Sequence, residues 1–344
     1  MERRNASIVN ITFPLQSLFP EWHLYLWFSV SMLIGLIGGF LILMLLTVMY
    51  KQKKLTRGSG LLIAHAQCID FIMCTMENPL QNSGLLLQAL HTSTGVNCPF
   101  ARFSLISMQA VGNWSAVFLA LNRFVAVVIP HHYQKVATQP VLIGKIVLSW
   151  SIGLAITVPH YVLKLGVEFG LSPTGACVIL KMDAFLFRVI SALVFYLPIG
   201  IVGALYVVIF LKGLYLKRRI LVHPEARRAP MPVVMKKRLQ VARMLMWTFI
   251  WYCICYFPAT FLPGFFYHVY KDDKRIEFWA KTLLYLGYAM NPVFFFAMSS
   301  EYRKGAAGLL RGVLRSRRHI HSLHKSLESG HHSEKPGTAP YISG

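Results

Sequence analysis

The sequence predicts an all-α membrane protein: a seven-transmembrane helix bundle with a short amphipathic cytoplasmic helix after the seventh span. Three observations carry that prediction. Of the 344 residues, 55% are hydrophobic and 14% charged, where a soluble chain carries about a quarter charged residues. Several apolar runs reach the roughly 20 residues that a helix needs to cross the hydrocarbon of a bilayer. The basic residues gather in alternate connectors between those runs.

The first span, 22–50, is WHLYLWFSVSMLIGLIGGFLILMLLTVMY. It is too long for the apolar core of a secretory signal and has no convincing small-residue cleavage site after it, so it reads as a retained helix. KQKKLTRGS then leads into the second span, 59–84. The loop TSTGVNCP, nearly free of positive charge, leads into the third, 99–129. The fourth span is 143–165, and EFGLSPTGAC precedes the fifth, 184–211. The connector 212–240 carries LKRRILVHPEARRAPMPVVMKKR before the sixth span, 241–268, and the seventh is 277–299. In EYRKGAAGLLRGVLRSRR, apolar Leu309, Leu310, Val313 and Leu314 oppose Arg303, Lys304, Arg311 and Arg315. That pattern suits a helix lying on the inner leaflet over 300–317. The Ser/His/Gly/Pro-rich end, 318–344, reads as a disordered tail.

Lys and Arg concentrate on the cytoplasmic side of membrane proteins, which orients the chain. The N-terminal tail, 1–21, is then extracellular, the bundle 22–299 spans the plasma membrane, and the tail is cytoplasmic. Asn5-Ala6-Ser7 and Asn10-Ile11-Thr12 are glycosylation sequons on the expected outer side. A third sequon, Asn113-Trp114-Ser115, falls inside a span and should stay unmodified. Cys98 and Cys177 both sit at outer positions, an oxidising setting that admits a disulfide between them. Cys68, Cys74, Cys253 and Cys255 lie inside spans and read as reduced thiols.

The net charge of +22 follows from this topology and does not imply a nucleic-acid partner. No phosphate-binding glycine loop or nucleophile elbow is present, so no enzyme is expected. The pairs His131-His132 and His331-His332 lack further ligands in a metal-site pattern, so neither metal nor cofactor is expected.

One residue breaks the apolar third span: Arg123, in LALNRFVAVVIP. It follows Cys98 by 25 residues, about 37 Å of helix at 1.5 Å per residue. With Cys98 at the outer boundary, Arg123 lies beyond a hydrocarbon core about 30 Å thick, at the cytoplasmic mouth of the bundle.

Several features in order carry a resemblance. They are Asp70 in the second span, NRFVAVVIP with Tyr133 after it, Trp150 followed by Pro159, and Pro198 with Tyr206 eight residues on. YCICYFP at 252–258, NPVFF at 291–295 and Tyr302 complete the set. Over nearly its whole length the chain resembles the rhodopsin-like (class A) family of G-protein-coupled receptors. It departs from the family pattern at Asn122 in place of the acid beside the arginine, Tyr256 in place of tryptophan, and Phe295 in place of tyrosine. Gly39 stands where the first helix normally supplies an asparagine. The Asn-Arg pair and the LLIAH stretch are similar to the melatonin-type and related orphan receptors.

The resemblance implies a receptor that binds an extracellular ligand and activates a heterotrimeric G protein by opening its cytoplasmic face. Asn122, Arg123, Tyr206, Tyr252, Tyr256, Pro258, Asn291, Pro292 and Phe295 would form the activation switch. Asn122 would hydrogen-bond Arg123 without pairing its charge, and Arg238, opposite on the sixth helix, would repel it. A weakly latched resting state is therefore expected. Asp70 and Asn291 would form a polar core. Gly39, Gly112, Gly287 and Tyr288 occupy the other positions that hold sodium in relatives, so a structural network is expected before a bound cation.

The ligand pocket implied by the resemblance comprises Arg102, Leu105, Gln109, Phe195, Tyr256, Thr260, Lys281 and Tyr285. Leu105 and Tyr285 stand where amine receptors and opsins carry an aspartate and a retinal lysine, which argues against amines and retinal. Arg102 and Lys281 would suit an acidic ligand, unless Glu77 neutralises Lys281. The basic connector and tail would touch the transducer and anionic lipid. Ser316, Ser322, Ser326, Ser329 and Ser333 are candidate phosphosites for arrestin. The competing readings are a decoy receptor that does not couple and a seven-helix transporter. The transporter predicts paired intramembrane acids along a path, and none appear.

Overall fold

Seven apolar runs fold as seven long helices. The computed structural model describes residues 21–52, 55, 58–89, 97–162, 167–171, 177–222, 233–265 and 274–312. Helix α1 is Glu21–Lys51. Helix α2 occupies 60–89: Gly60–Ile72, a π turn Met73–Glu77, then Asn78–Ala89. Helix α3 is Cys98–Val128 and α4 is Gln139–Val162, with a single turn Tyr133–Val136 between them. Helix α5, 184–222, has a π turn at Ala192–Tyr196. Helix α6 is Val233–Phe265, and α7 comprises Lys274–Ala289 and Asn291–Met298. After Ser299 the chain turns by 101° into α8, Ser300–Gly312.

Among the described residues, five helices are long and apolar enough to cross a membrane; α7 qualifies only jointly with α8. Helix α2 falls short because it is the polar one. It buries Gln67, Asp70, Glu77, Asn78 and Asn82, which its neighbours α1, α3 and α7 shield from lipid. Helices α5 and α6 run about ten residues past the expected spans at their facing ends. Hydropathy marks the edge of the membrane, whereas Lys, Arg and Leu are good helix formers beyond it.

Helix α3 is the axis, packing on α2, α4, α5 and α6. Its start is fixed by Asn97, whose side chain accepts from the Phe100 amide at 3.2 Å, with Pro99 in the first turn. Helix α1 is drawn close by Gly38 and Gly39. A Cβ at Gly38 would stand 2.4 Å from the Cβ of Ala289, and one at Gly39 2.7 Å from Thr75 Cγ2. The asparagine expected at 39 from the resemblance therefore has no room. Beside this contact Trp27 Nε1 donates to the Phe278 carbonyl and to Thr282 Oγ1, which shares a hydrogen bond with Ser31. That buried polar seam ties α1 to α7.

The connector after α4, read from sequence as loop, contains the antiparallel hairpin β1 (Val167–Leu171) and β2 (Cys177–Met182). The all-α expectation holds for the bundle and is corrected here. VEFGL and CVILKM carry β-branched and aromatic residues in runs too short for a helix, and they pair antiparallel. The hairpin packs against α3. Cys98 is disulfide-bonded, and Cys177 opens β2, although its side chain lies outside the described residues. Cys68, Cys74, Cys253 and Cys255 are free thiols, as expected. The sequons at Asn5 and Asn10, the end of the expected helix at 313–317 and the serines of the tail also lie outside the described residues.

Candidate functional site

Proline at 198 removes the amide that would bond to the carbonyl four residues earlier in an α-helix, or five earlier in a π turn. Those carbonyls belong to Val194 and Leu193. Both find donors on α3: Asn113 Nδ2 reaches Val194 at 2.9 Å and Trp114 Nε1 reaches Leu193 at 3.1 Å. The other face of Asn113 is equally committed, since its Oδ1 accepts from Tyr252 on α6 at 3.0 Å. Ser115 bonds His65, whose Nε2 accepts from Trp150. All three residues of the internal sequon are thus structural, and Asn113 is only 6% exposed.

Tyr252 stacks on Tyr256 at 4.9 Å and packs on Tyr288 at 5.8 Å. Phe195, in the π turn, lies 5.5 Å from Tyr256. This aromatic layer separates two polar regions. On its inner side Asp70 Oδ2 accepts from Asn291 at 2.8 Å and from Gln67 at 2.9 Å. An internal cavity of about 110 Å³ begins there and extends to Tyr206, Leu245 and Phe295. Gln67 Oε1 and Asn291 Oδ1 are buried without donors; a cavity this size and polarity accommodates several waters.

At the far end of the bundle Arg123 is 5% exposed and Asn122 fully buried. The expected Asn122–Arg123 hydrogen bond is not formed. Asn122 Oδ1 instead accepts from Lys145 Nζ on α4 at 3.0 Å, and Lys145 also reaches the Val136 carbonyl. Successive helical residues point about 100° apart, so 122 faces α4 while 123 faces the bundle. Around Arg123 stand the phenols of Tyr133, Tyr206 and Tyr302 and the Arg238 guanidinium. Burial pushes the Tyr302 phenol up to about 12, with Arg123 pulling the other way, so it is a neutral hydroxyl at any physiological pH.

Arg238 repels Arg123, as expected, but it also makes contacts that its charge alone did not suggest. Its Nη1 donates to the Ala126 carbonyl of α3 at 3.0 Å, and its guanidinium lies 4.5 Å over the Tyr133 ring. These contacts fasten α6 to α3 despite the like charges. Nearby, Lys237 pairs with Glu301 at 2.9 Å, and Gln240 Nε2 donates to the Met298 carbonyl.

The sequence profile described as "7 transmembrane receptor (rhodopsin family)" matches residues 42–295, which hold Asp70, Asn113, Asn122, Arg123 and Arg238. The chain belongs to that family. It is a multi-pass membrane receptor that binds an extracellular ligand and acts through a heterotrimeric G protein, and it is not an enzyme. It is similar to Neuromedin-U receptor 2 of Mus musculus, 22% identical over 80% of this chain and 72% of that one. The Substance-P receptor of Aquarana catesbeiana is 21% identical over 89% of this chain and 76% of its own. Olfactory receptor 4L1 of Homo sapiens is 26% identical over 49% and 54%. Identities this low fit a divergent rhodopsin-family receptor.

Several of the residues expected to form the activation switch lie around the inner cavity. Tyr252, Asn291, Tyr206 and Phe295 line the cavity, and Tyr256 stacks on Tyr252. Pro258 sits within unbroken α6, and Pro292 opens the last stretch of α7. Phe295 packs edge-on against Tyr302 at 5.5 Å. Of the expected pocket residues, Leu105, Tyr256 and Tyr285 are buried in one apolar cluster with Phe195 against it, and Arg102 lies near Tyr256 and Tyr285. Thr260 turns its hydroxyl back to the Tyr256 carbonyl. Gln109 lines the inner cavity with Asp70. Glu77 is held by Ser104 and Gln81.

Lys145, Gln67, Asn113 and the contact between Arg238 and Tyr133 were missed from sequence. A signal existed for Asn113: a polar residue in an apolar span, beside a fifth helix whose proline frees a carbonyl. None existed for Lys145.

Proposed function

We propose that this receptor rests with α6 fastened to α3 by a cation–carbonyl latch, and that ligand binding releases it so a G protein can reach Arg123. The observation that carries the reading is Arg238 bonded to the Ala126 carbonyl and stacked on Tyr133. The polar path from Tyr256 through Tyr252 and Asn113 to the Asp70 cavity supports a route from ligand to latch. Its moving parts are the hinges at Pro258 and Pro292.

The basic connectors support a cytoplasmic Arg123 end, an extracellular N-terminus glycosylated at Asn5 and Asn10, and residence in the plasma membrane. The ligand enters at the Cys98 end, beneath the hairpin, which the Cys98–Cys177 disulfide fixes over the pocket. Arg102, Leu105, Phe195, Tyr256, Thr260, Lys281 and Tyr285 form its site, and the basic pair suits a ligand with an acidic group. Gln109 belongs to the inner cavity and responds to the ligand through Tyr256. Helix α8 turns its exposed Arg303, Lys304 and Arg311 to anionic lipid, and the tail serines serve arrestin once phosphorylated.

The test is basal nucleotide exchange across a panel of purified G proteins, comparing wild type with Arg123→Ala at matched receptor concentration. Exchange that disappears in the variant while its melting temperature is retained supports the reading. Equal exchange from the two proteins refutes it.

A further inference from the structure

A buried guanidinium is costly to keep unpaired, because the interior cannot replace the hydration of its charge. Among the described residues Arg123 makes no hydrogen bond or ion pair. Its Nε is sealed from solvent without a partner, while its two terminal nitrogens, also unpartnered, keep contact with solvent. Asn122 supplies no charge and is occupied by Lys145. Its neighbours Tyr133, Tyr206 and Tyr302 are phenols, not carboxylates. The remaining charged groups near it are Arg238, which repels it, and Lys145, next to it through Asn122. Glu301 is the one described carboxylate at this end, and Lys237 already holds it. The mouth of the bundle therefore gathers three cations and, among the described residues, leaves them no counter-charge.

We propose that the Arg123 end of the bundle is an anion site, in which a phosphate-class oxyanion lies between Arg123 and Arg238. A tetrahedral oxyanion offers several acceptors, and a guanidinium presents its donors as a fork that matches them. One such ion satisfies Arg123 and cancels its repulsion with Arg238. It also joins α3 to α6, adding to the latch at Ala126 and favouring the closed receptor. The ion has two possible sources, free phosphate in the cytosol or the phosphorylated headgroup of an inner-leaflet lipid. The inference takes from the functional reading that this end faces the cytosol and that the contact at Ala126 holds the receptor closed.

The experiment uses the full chain in nanodiscs, with no G protein present, so its result is independent of whether the receptor couples. In phosphatidylcholine discs, inorganic phosphate is titrated against gluconate at constant ionic strength and the melting temperature is followed. In a second arm the discs contain phosphatidylinositol 4-phosphate and the buffer has no phosphate. The expected result is a saturable rise in melting temperature in at least one arm. A rise in the first identifies a free ion, and a rise in the second alone identifies a headgroup.

Arg123→Gln and Arg238→Gln are each expected to raise the half-saturating concentration about tenfold or more, the loss of one charge-assisted contact. If Arg123→Gln does not fold, Arg238→Gln decides alone. Lys51→Gln, at the exposed end of α1, should leave the titration unchanged. The proposal is overturned if neither arm stabilises the wild type. It is also overturned if Lys51→Gln weakens the response as much as Arg238→Gln, which would indicate general screening.

Discussion

Replacing Arg238 with glutamine tests the latch most directly. The side chain makes two contacts that an outward swing of α6 must break, the 3.0 Å bond to the Ala126 carbonyl and the stack on Tyr133. A hydrogen bond from a charged donor contributes about 1.5–3 kcal/mol, and a cation over an exposed ring about 0.5–1 kcal/mol. Glutamine can still donate to the carbonyl but loses the charge and the stack. A net loss of about 1–2 kcal/mol is therefore expected, a shift of roughly 5–30-fold toward the open receptor. Lys237–Glu301 spans the same gap, but its side chains are 56% and 46% exposed. Such a surface pair contributes at most about 1 kcal/mol. Basal exchange on a purified G protein, in phosphate-free buffer at equal receptor concentration, should rise markedly in Arg238→Gln and by less than about fivefold in Lys237→Gln. Unchanged or lower exchange in Arg238→Gln refutes the latch, as does a larger effect from Lys237→Gln.

Asn122→Asp should pair with Lys145 rather than Arg123 and change basal exchange by less than about twofold; a fall of tenfold would mean that the acid captures Arg123 after all. Tyr252→Phe leaves Asn113 Oδ1 buried without its donor, at a cost of about 1–3 kcal/mol. It should lower the melting temperature measurably, whereas an unchanged melt would show that the hydroxyl is dispensable. Gly39→Asn restores the family's usual residue but meets Thr75 at the Cβ. Receptor recovered after purification should drop sharply, and recovery equal to wild type would contradict the packing described here.

The seven helices were legible because hydropathy reads burial in lipid directly, and the motif positions fixed which residue faces inward. Helix ends were less so, since LKRRI and VVMKKR stay helical after leaving the hydrocarbon. The hairpin escaped because strands of five and six residues between two spans carry no periodicity distinguishable from a loop. Around Arg123 the sequence identified the right residues and mispaired two of them. A side chain next in sequence, Asn122, was credited with a contact that helical geometry directs elsewhere. Arg238 was judged by charge alone, although a guanidinium also has donors and a flat face. Lys145, 22 residues further on, carried no motif to mark it.

These two mispairings have one physical cause. An acid at 122 would attract both Arg123 and Lys145, and an acid at 238 would attract Arg123 from the opposite side. With neither acid present, Lys145 becomes the sole donor to Asn122, and Tyr133 is left to offer its ring face to Arg238. Tyr133 is carried by the short turn between α3 and α4, which Lys145 steadies through the Val136 carbonyl. The latch on α6 and the bond to Asn122 are therefore mechanically connected through that turn. Loss of Lys145 should loosen Tyr133 and with it Arg238, so Lys145→Gln should raise basal exchange in the same direction as Arg238→Gln. The double variant should then exceed the larger single effect by less than the product of the two, because coupled contacts do not add.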